Sequence, residues 1–180
     1  STQINTTAVH NSGTISAQGD TQVQTSAELQ NSGTVTSGRE LKVVSSTIDN
    51  TNGVLSGQRL DLTANSLTNK NGKIQQTGAT QSLNLNAGGI NNTNGGVIGY
   101  APAETPTGGT GGSTTGGTGA ANGTDDTPST ATGGGTSTVT LAPVLPSLAN
   151  GAINVSGAID NDAGQITANG GMDLSTSNGL

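Results

Sequence analysis

One motif returns about every twenty residues along this chain, and a period of that length marks a stack of similar units. It consists of an aliphatic, any residue and Asn, followed by a Gly and then a second aliphatic two positions beyond that Gly. Val9-x-Asn11 leads to Gly13 and Ile15, Leu29-x-Asn31 to Gly33 and Val35, and Ile48-x-Asn50 to Gly53 and Leu55. Leu67-x-Asn69 leads to Gly72 and Ile74, and Ile90-x-Asn92 to Gly95 and Val97. After a long gap, Ile159-x-Asn161 leads to Gly164 and Ile166. Each unit reads as one layer.

Composition supports the same conclusion. Hydrophobic residues are 28% of the 180, aromatics 1% and charged residues 9%. There is too little bulk for a globular core and too little charge for an ordinary disordered chain. A β-solenoid needs only a thin file of aliphatics per layer, because its backbone hydrogen bonds run between layers. No helical apolar stripe with caps is present. Apolar–polar alternation at Leu41-x-Val43, Leu60-x-Leu62, Leu83-x-Leu85 and Met172-x-Leu174 predicts strands with one buried face, with Val23 alone in the first unit. Each unit then holds two or three short strands. The fold class expected is all-β, a parallel β-helix with about 20 residues per coil and neighbouring coils about 4.8 Å apart. Stacking in register predicts a ladder of Asn11, Asn31, Asn50, Asn69 and Asn92, and glycine at the corners supplies positive φ.

The period breaks after Gly95-Gly-Val-Ile98. Residues 101–138 hold no Val, Ile, Leu, Met or aromatic except Tyr100 just before them, and are rich in Gly and Thr. That composition predicts a tether or extruded loop. The organisation expected is coils over 1–98, a low-complexity insertion over 99–149 and resumed coils over 150–180. Val139-Thr-Leu141 and Ile153-Asn-Val155 are both candidates for resuming the stack. The insertion reads either as drift at a tolerant corner or as a receptor-contacting loop.

Chemistry-bearing residues are sparse. His10 is the one histidine and Cys is absent, so no zinc site or thiolate is available. Asp49 and Asp160 both occupy the middle of the Ile-x-Asn element, with Asp162 close by, and give a weak glycosidase or calcium hint. Asp125-Asp126 reads as solvated charge. Glycine runs lack the strand–loop–helix context and Lys of a phosphate loop. Net charge is −6, and Arg39, Lys42, Arg59, Lys70 and Lys73 form no dense patch, which argues against nucleic acid as a partner. No apolar run is long enough for a membrane helix, and Ser1 to Thr7 is too polar to open a signal peptide. No catalytic, cofactor-binding or metal residue is expected, no cofactor is implied, and no binding residue is singled out. Ice binding through Thr14/Thr34 and Ser16/Thr36 is disfavoured, because Val54 and Lys73 interrupt the first of these files.

The composite pattern Asn-x-x-Gly-x-Ile/Leu-x-Ala/Ser, then Leu-x-Leu-x-Ala, then Leu-x-Asn resembles the haemagglutinin repeats of filamentous haemagglutinin and related two-partner-secreted exoproteins, including contact-dependent growth-inhibition effectors. The clearest copies are Asn50-Thr-Asn-Gly-Val-Leu-Ser-Gly-Gln-Arg-Leu-Asp-Leu-Thr-Ala-Asn-Ser-Leu-Thr-Asn69 and Asp162-Ala-Gly-Gln-Ile-Thr-Ala-Asn-Gly-Gly-Met-Asp-Leu174. The resemblance covers 1–98 and 150–180. It implies a right-handed winding, a secreted or outer-cell-surface location, and a non-enzymatic role as a shaft segment of an adhesive or presenting filament. The partners it implies are an outer-membrane transporter during secretion and a receptor or glycan on a host or neighbouring bacterial cell. Insertion into a membrane is not implied. The long Gly/Thr-rich insertion departs from the family pattern, and the span reads as shaft without the family's secretion domain or toxin. The competing reading is a β-helical polysaccharide-acting enzyme or glycan-binding module, for which a lone Tyr100 offers little sugar stacking.

Overall fold

Alternating apolar and polar residues make strands only if each strand finds a neighbour for its backbone, and here the neighbour is always the next coil. The computed structural model describes residues 1–101, 151–168 and 170–177. It divides into two units, Ser1–Ala103 with Leu145–Leu180, and Glu104–Val144, the second lying outside the described residues. The first unit is a parallel β-solenoid of about six turns, with no helix among the described residues.

Thirteen strands follow in order: β1 (Thr2–Asn11), β2 (Thr14–Ala17), β3 (Thr21–Asn31), β4 (Thr34–Val44), β5 (Thr47–Asp49), β6 (Val54–Thr68), β7 (Lys73–Gln76), β8 (Leu83–Asn91), β9 (Val97–Tyr100), β10 (Gly151–Val155), β11 (Ile159–Asp160), β12 (Gln165–Thr167) and β13 (Met172–Thr176). Every pairing among them is parallel. Several strands run through a corner: β4 pairs β2 with its first half and β3 with its second, with a bulge between Ser37 and Glu40 where it pairs β6.

Register turns the sequence motif into vertical files. Ile15, Val35, Leu55, Ile74, Ile98 and Ile166 are successive partners. So are Val9, Leu29, Ile48, Leu67, Ile90 and Ile159. The aliphatic pairs supply a third file, Ile4, Val23, Val43, Leu62, Leu85, Ile153 and Leu174. A fourth runs through Thr2, Thr21, Leu41, Leu60, Leu83, Gly151 and Met172. From Val23 to Ile153 the central members of these files are buried, whereas Ile4, Val9, Ile15, Ile159, Ile166 and Met172 at the two ends are only partly so. Thr21 is an intruder in an aliphatic file, and its hydroxyl is buried without a hydrogen-bond partner.

The predicted Asn ladder is present and longer by one rung. The Asn11 Nδ2 donates to Asn31 Oδ1, Asn31 to Asn50, Asn50 to Asn69 and Asn69 to Asn92, each at 2.8 Å, and Asn92 donates to Asn161 at 2.6 Å. Asn11, Asn31, Asn50 and Asn69 also donate to carbonyls of their own corner and of the next coil, as Asn50 does to Gly53 at 3.1 Å and Lys73 at 3.2 Å. Asn50, Asn69 and Asn92 are wholly buried, so these bonds replace the solvation the amides lose.

Two expectations about this corner are corrected. Positive φ falls on Asn52, Asn71, Asn94 and Ala163 (50° to 60°) and on Gly95, while the recurrent corner glycines Gly33, Gly53, Gly72, Gly96 and Gly164 are not among the positive-φ residues. They are glycine because of close approach: a Cβ on Gly53 would lie 2.1 Å from the Asn31 carbonyl oxygen. The fifth repeat is also shifted by one. Ile98 pairs Ile74 and faces inward, Val97 pairs Lys73, and Gly96 rather than Gly95 makes the close approach, to Asn69 O. The extra residue in Asn92-Thr-Asn-Gly-Gly96 moves the frame.

Strand pairing runs to Tyr100 at the end of β9 and resumes at β10, where Ile153 and Val155 pair Leu85 and Ala87. Val139-Thr-Leu141 and the expected insertion, apart from Gly99–Ala101, lie outside the described residues.

Candidate binding surface

A coil has three corners, and only one of them varies much in length. At the ladder corner, Asn31 is followed by Ser32 and Gly33 before β4, and Asn50 by Thr51 to Gly53 before β6. The buried amides fix the path there. At the corner between the file of Ile15 and the file of Leu41, the connection is residues 38–40 in one coil and 58–59 in the next. It then lengthens to 77–82 between Gln76 and Leu83 and to 101–150 between Tyr100 and Gly151. Gln76 pairs Tyr100 and Leu83 pairs Gly151, so the two long connections start and finish at the same place in adjacent coils.

Small polar groups hold this corner where it is short. Ser37 Oγ lies 2.6 Å from the Gly19 carbonyl and 2.7 Å from that of Glu40, and its one proton serves either. At the equivalent place in the 77–82 connection, buried Gln76 extends its amide to the carbonyls of Gln58, at 3.0 Å, and Gly78. The backbone also stays in step, with Thr77 N donating to Gly57 O at 2.9 Å and Gly78 N to Gln58 O at 3.1 Å.

Most of the described charge lies along the same corner or beside it. Arg39 Nε is 3.9 Å from Asp20 Oδ1, Arg59 Nη2 is 3.3 Å from Glu40 Oε1, and Lys42 Nζ is 3.5 Å from Asp61 Oδ2. Asp20, Arg39, Glu40, Gln58, Arg59 and Gln81 line a recess of about 300 Å³. Its cations are already matched by carboxylates, so it offers mixed polarity rather than a field of one sign. Lys70 and Lys73, on the ladder corner, have no carboxylate within ion-pair distance among the described residues.

A second groove of about 360 Å³ follows the outward file of the ladder strands and includes His10, Gln30, Asp49 and Thr51. His10 Nε2 lies 2.8 Å from Glu28 Oε1 on an open surface. Asp49 Oδ1 accepts from Thr51 N at 3.0 Å and Thr51 Oγ1 at 2.6 Å, which ties the carboxylate to its own turn. Asp160 stands in the same file, three coils away through Thr68 and Asn91. That spacing is roughly 14 Å along the stack, beyond the roughly 5–9.5 Å of a glycosidase carboxylate pair. Asp160 instead accepts from Asp162 N at 3.3 Å. No three His, Cys, Asp or Glu residues gather to hold a metal among the described residues. Tyr100 ends β9, half-buried beside Gln76. Asp125 and Asp126 lie outside the described residues.

Sequence reading did not anticipate Gln76 as a plug, nor a second, outer amide pair in which Asn71 Nδ2 donates to Asn52 Oδ1 at 2.9 Å. Asn at the same offset in Asn50-Thr-Asn-Gly and Asn69-Lys-Asn-Gly was the available signal for that pair. No known protein family, curated protein or solved structure matches the chain.

Proposed function

We propose that this chain is a structural and adhesive shaft segment of a secreted bacterial surface filament, holding binding or toxin regions out toward other cells. The observation that carries the reading is the confinement of variation. Four side-chain files and one amide ladder repeat through the coils, while length changes concentrate at a single corner. A scaffold that stays constant on two corners and admits insertions at the third suits presentation, since loops on rigid supports carry recognition. The resemblance of Asn50–Asn69 and Asp162–Leu174 to haemagglutinin repeats supplies the bacterial context, with passage through an outer-membrane transporter and a receptor or glycan on the target cell as the partners. The three-coil separation of Asp49 from Asp160 favours adhesion over polysaccharide cleavage by that pair.

Cell capture tests the proposal. Beads bearing the intact chain are expected to retain host or bacterial cells above beads bearing an unrelated polar protein, and a chain lacking residues 101–138 is expected to retain fewer. Retention at the control level on every cell type would overturn the adhesive role. Equal retention by both chains would remove the insertion as the contact. Release of reducing ends from cell-surface glycans would revive the enzymatic alternative.

A further inference from the structure

We propose that Asn71 is a self-modifying site, whose side chain condenses with the backbone of Gly72 and converts to a mixture of aspartate and isoaspartate. Three Asn-Gly pairs stand on the ladder corner: Asn52-Gly53, Asn71-Gly72 and Asn94-Gly95. All three asparagines are exposed and hold φ of 60°, 50° and 54°. Glycine offers the least hindrance to ring closure. The ladder asparagines Asn31, Asn50, Asn69 and Asn92 are buried, fully bonded and followed by Ser, Thr or Lys, so they are spared.

The three pairs differ in the nucleophile. Gly53 N donates to Asn50 O at 3.1 Å and Gly95 N to Ala163 O at 2.9 Å, and each must break that bond before it can attack. Gly72 N makes no such bond among the described residues. Sequence adds a second difference: Asn71-Gly72 is bracketed by Lys70 and Lys73, whereas Thr51 and Val54 bracket Asn52-Gly53, and Thr93 and Gly96 bracket Asn94-Gly95. Neighbouring cations favour a deprotonated amide nitrogen and the oxyanion it forms on attack.

In the reaction, Gly72 N gives its proton to solvent and bonds to Asn71 Cγ. The Cγ–Nδ2 bond breaks and ammonia leaves, taking a proton from solvent. Water then opens the succinimide. Addition at Cγ restores the original backbone as aspartate, and addition at the main-chain carbonyl leaves isoaspartate with one extra backbone methylene.

Either product disturbs the corner. A carboxylate cannot make the donation from Asn71 to Asn52 Oδ1. The extra methylene enters next to Gly72, where even a Cβ would lie 2.1 Å from Asn50 O and 2.4 Å from Asn69 Oδ1. The site therefore acts as a clock that loosens the stack with age.

Peptide mapping of the full chain, held in mildly alkaline buffer either folded or in denaturant, tests this. In the folded chain Asn71 is expected to convert several-fold faster than Asn52 and Asn94, and in denaturant that margin is expected to shrink to what the flanking lysines contribute. Asn71→Gly, which takes the φ of 50° without strain, should fold normally by circular dichroism, stop conversion at that position and keep its melting temperature on ageing while the parent's falls. Folded rates at Asn52 or Asn94 equal to or above that at Asn71 would overturn the proposal, as would an unconverted Asn71.

Discussion

The central residue of this structure is an asparagine that could not be exchanged for its own acid. Asn50 receives a bond from Asn31 and gives one to Asn69, both at 2.8 Å and all out of water. Asn50→Ala takes the donor from buried Asn69 Oδ1 and the shortest acceptor from Asn31 Nδ2, and is expected to cost about 2–4 kcal/mol in chemical denaturation. Asn11→Ala, at the exposed end of the ladder, is expected to cost about 1 kcal/mol or less. Equal losses at the two positions would contradict the ladder's role. At Ala163 the expectation is reversed. It occupies the positive-φ place held by Asn52 and Asn71, with φ of 53°. An L-alanine is strained there, and Ala163→Asn or Ala163→Gly should gain about 1 kcal/mol. The ladder itself was legible, because Asn recurred at a fixed offset from an aliphatic and a glycine. The reason for the glycine was not, because a close approach to a carbonyl one coil away leaves no local trace.

At the scale of the strand, burial separates the middle of each file from its ends. Leu55 is completely buried between Val35 and Ile74, while Ile15 in the first coil is half open. Leu55→Ala is expected to cost about 2–5 kcal/mol, and Ile15→Ala clearly less, by urea titration of each variant. The ion pairs alongside are minor by comparison. Arg59 and Glu40 are 3.3 Å apart with side chains 47% and 30% exposed, so Arg59→Gln should change stability by under about 1 kcal/mol. Which strands exist could be read from period-two alternation. The frame of β9 could not, since one inserted residue before Gly96 exchanges Val97 and Ile98 between the two faces, and glycine at both 95 and 96 hides the shift.

Across the whole molecule, the two long connections meet the stack at positions already in register. Replacing 102–150 with a turn as short as 77–82 should leave the melting temperature equal or higher, with a gain of at most about 2 kcal/mol from the shorter loop closure. A lower melting temperature would show that the corner is not open. The most direct test of the winding itself uses the absence of native cysteine. Thr36 and Ser56 are register partners on adjacent coils, and Gln75 is the partner of Ser56 one coil further on. Disulfide bonds require Cα atoms about 4.4–6.8 Å apart. The pair Thr36→Cys with Ser56→Cys should therefore oxidise readily within one chain, and Thr36→Cys with Gln75→Cys should stay reduced. Equal oxidation of both pairs, or of neither, would contradict a chain wound in register.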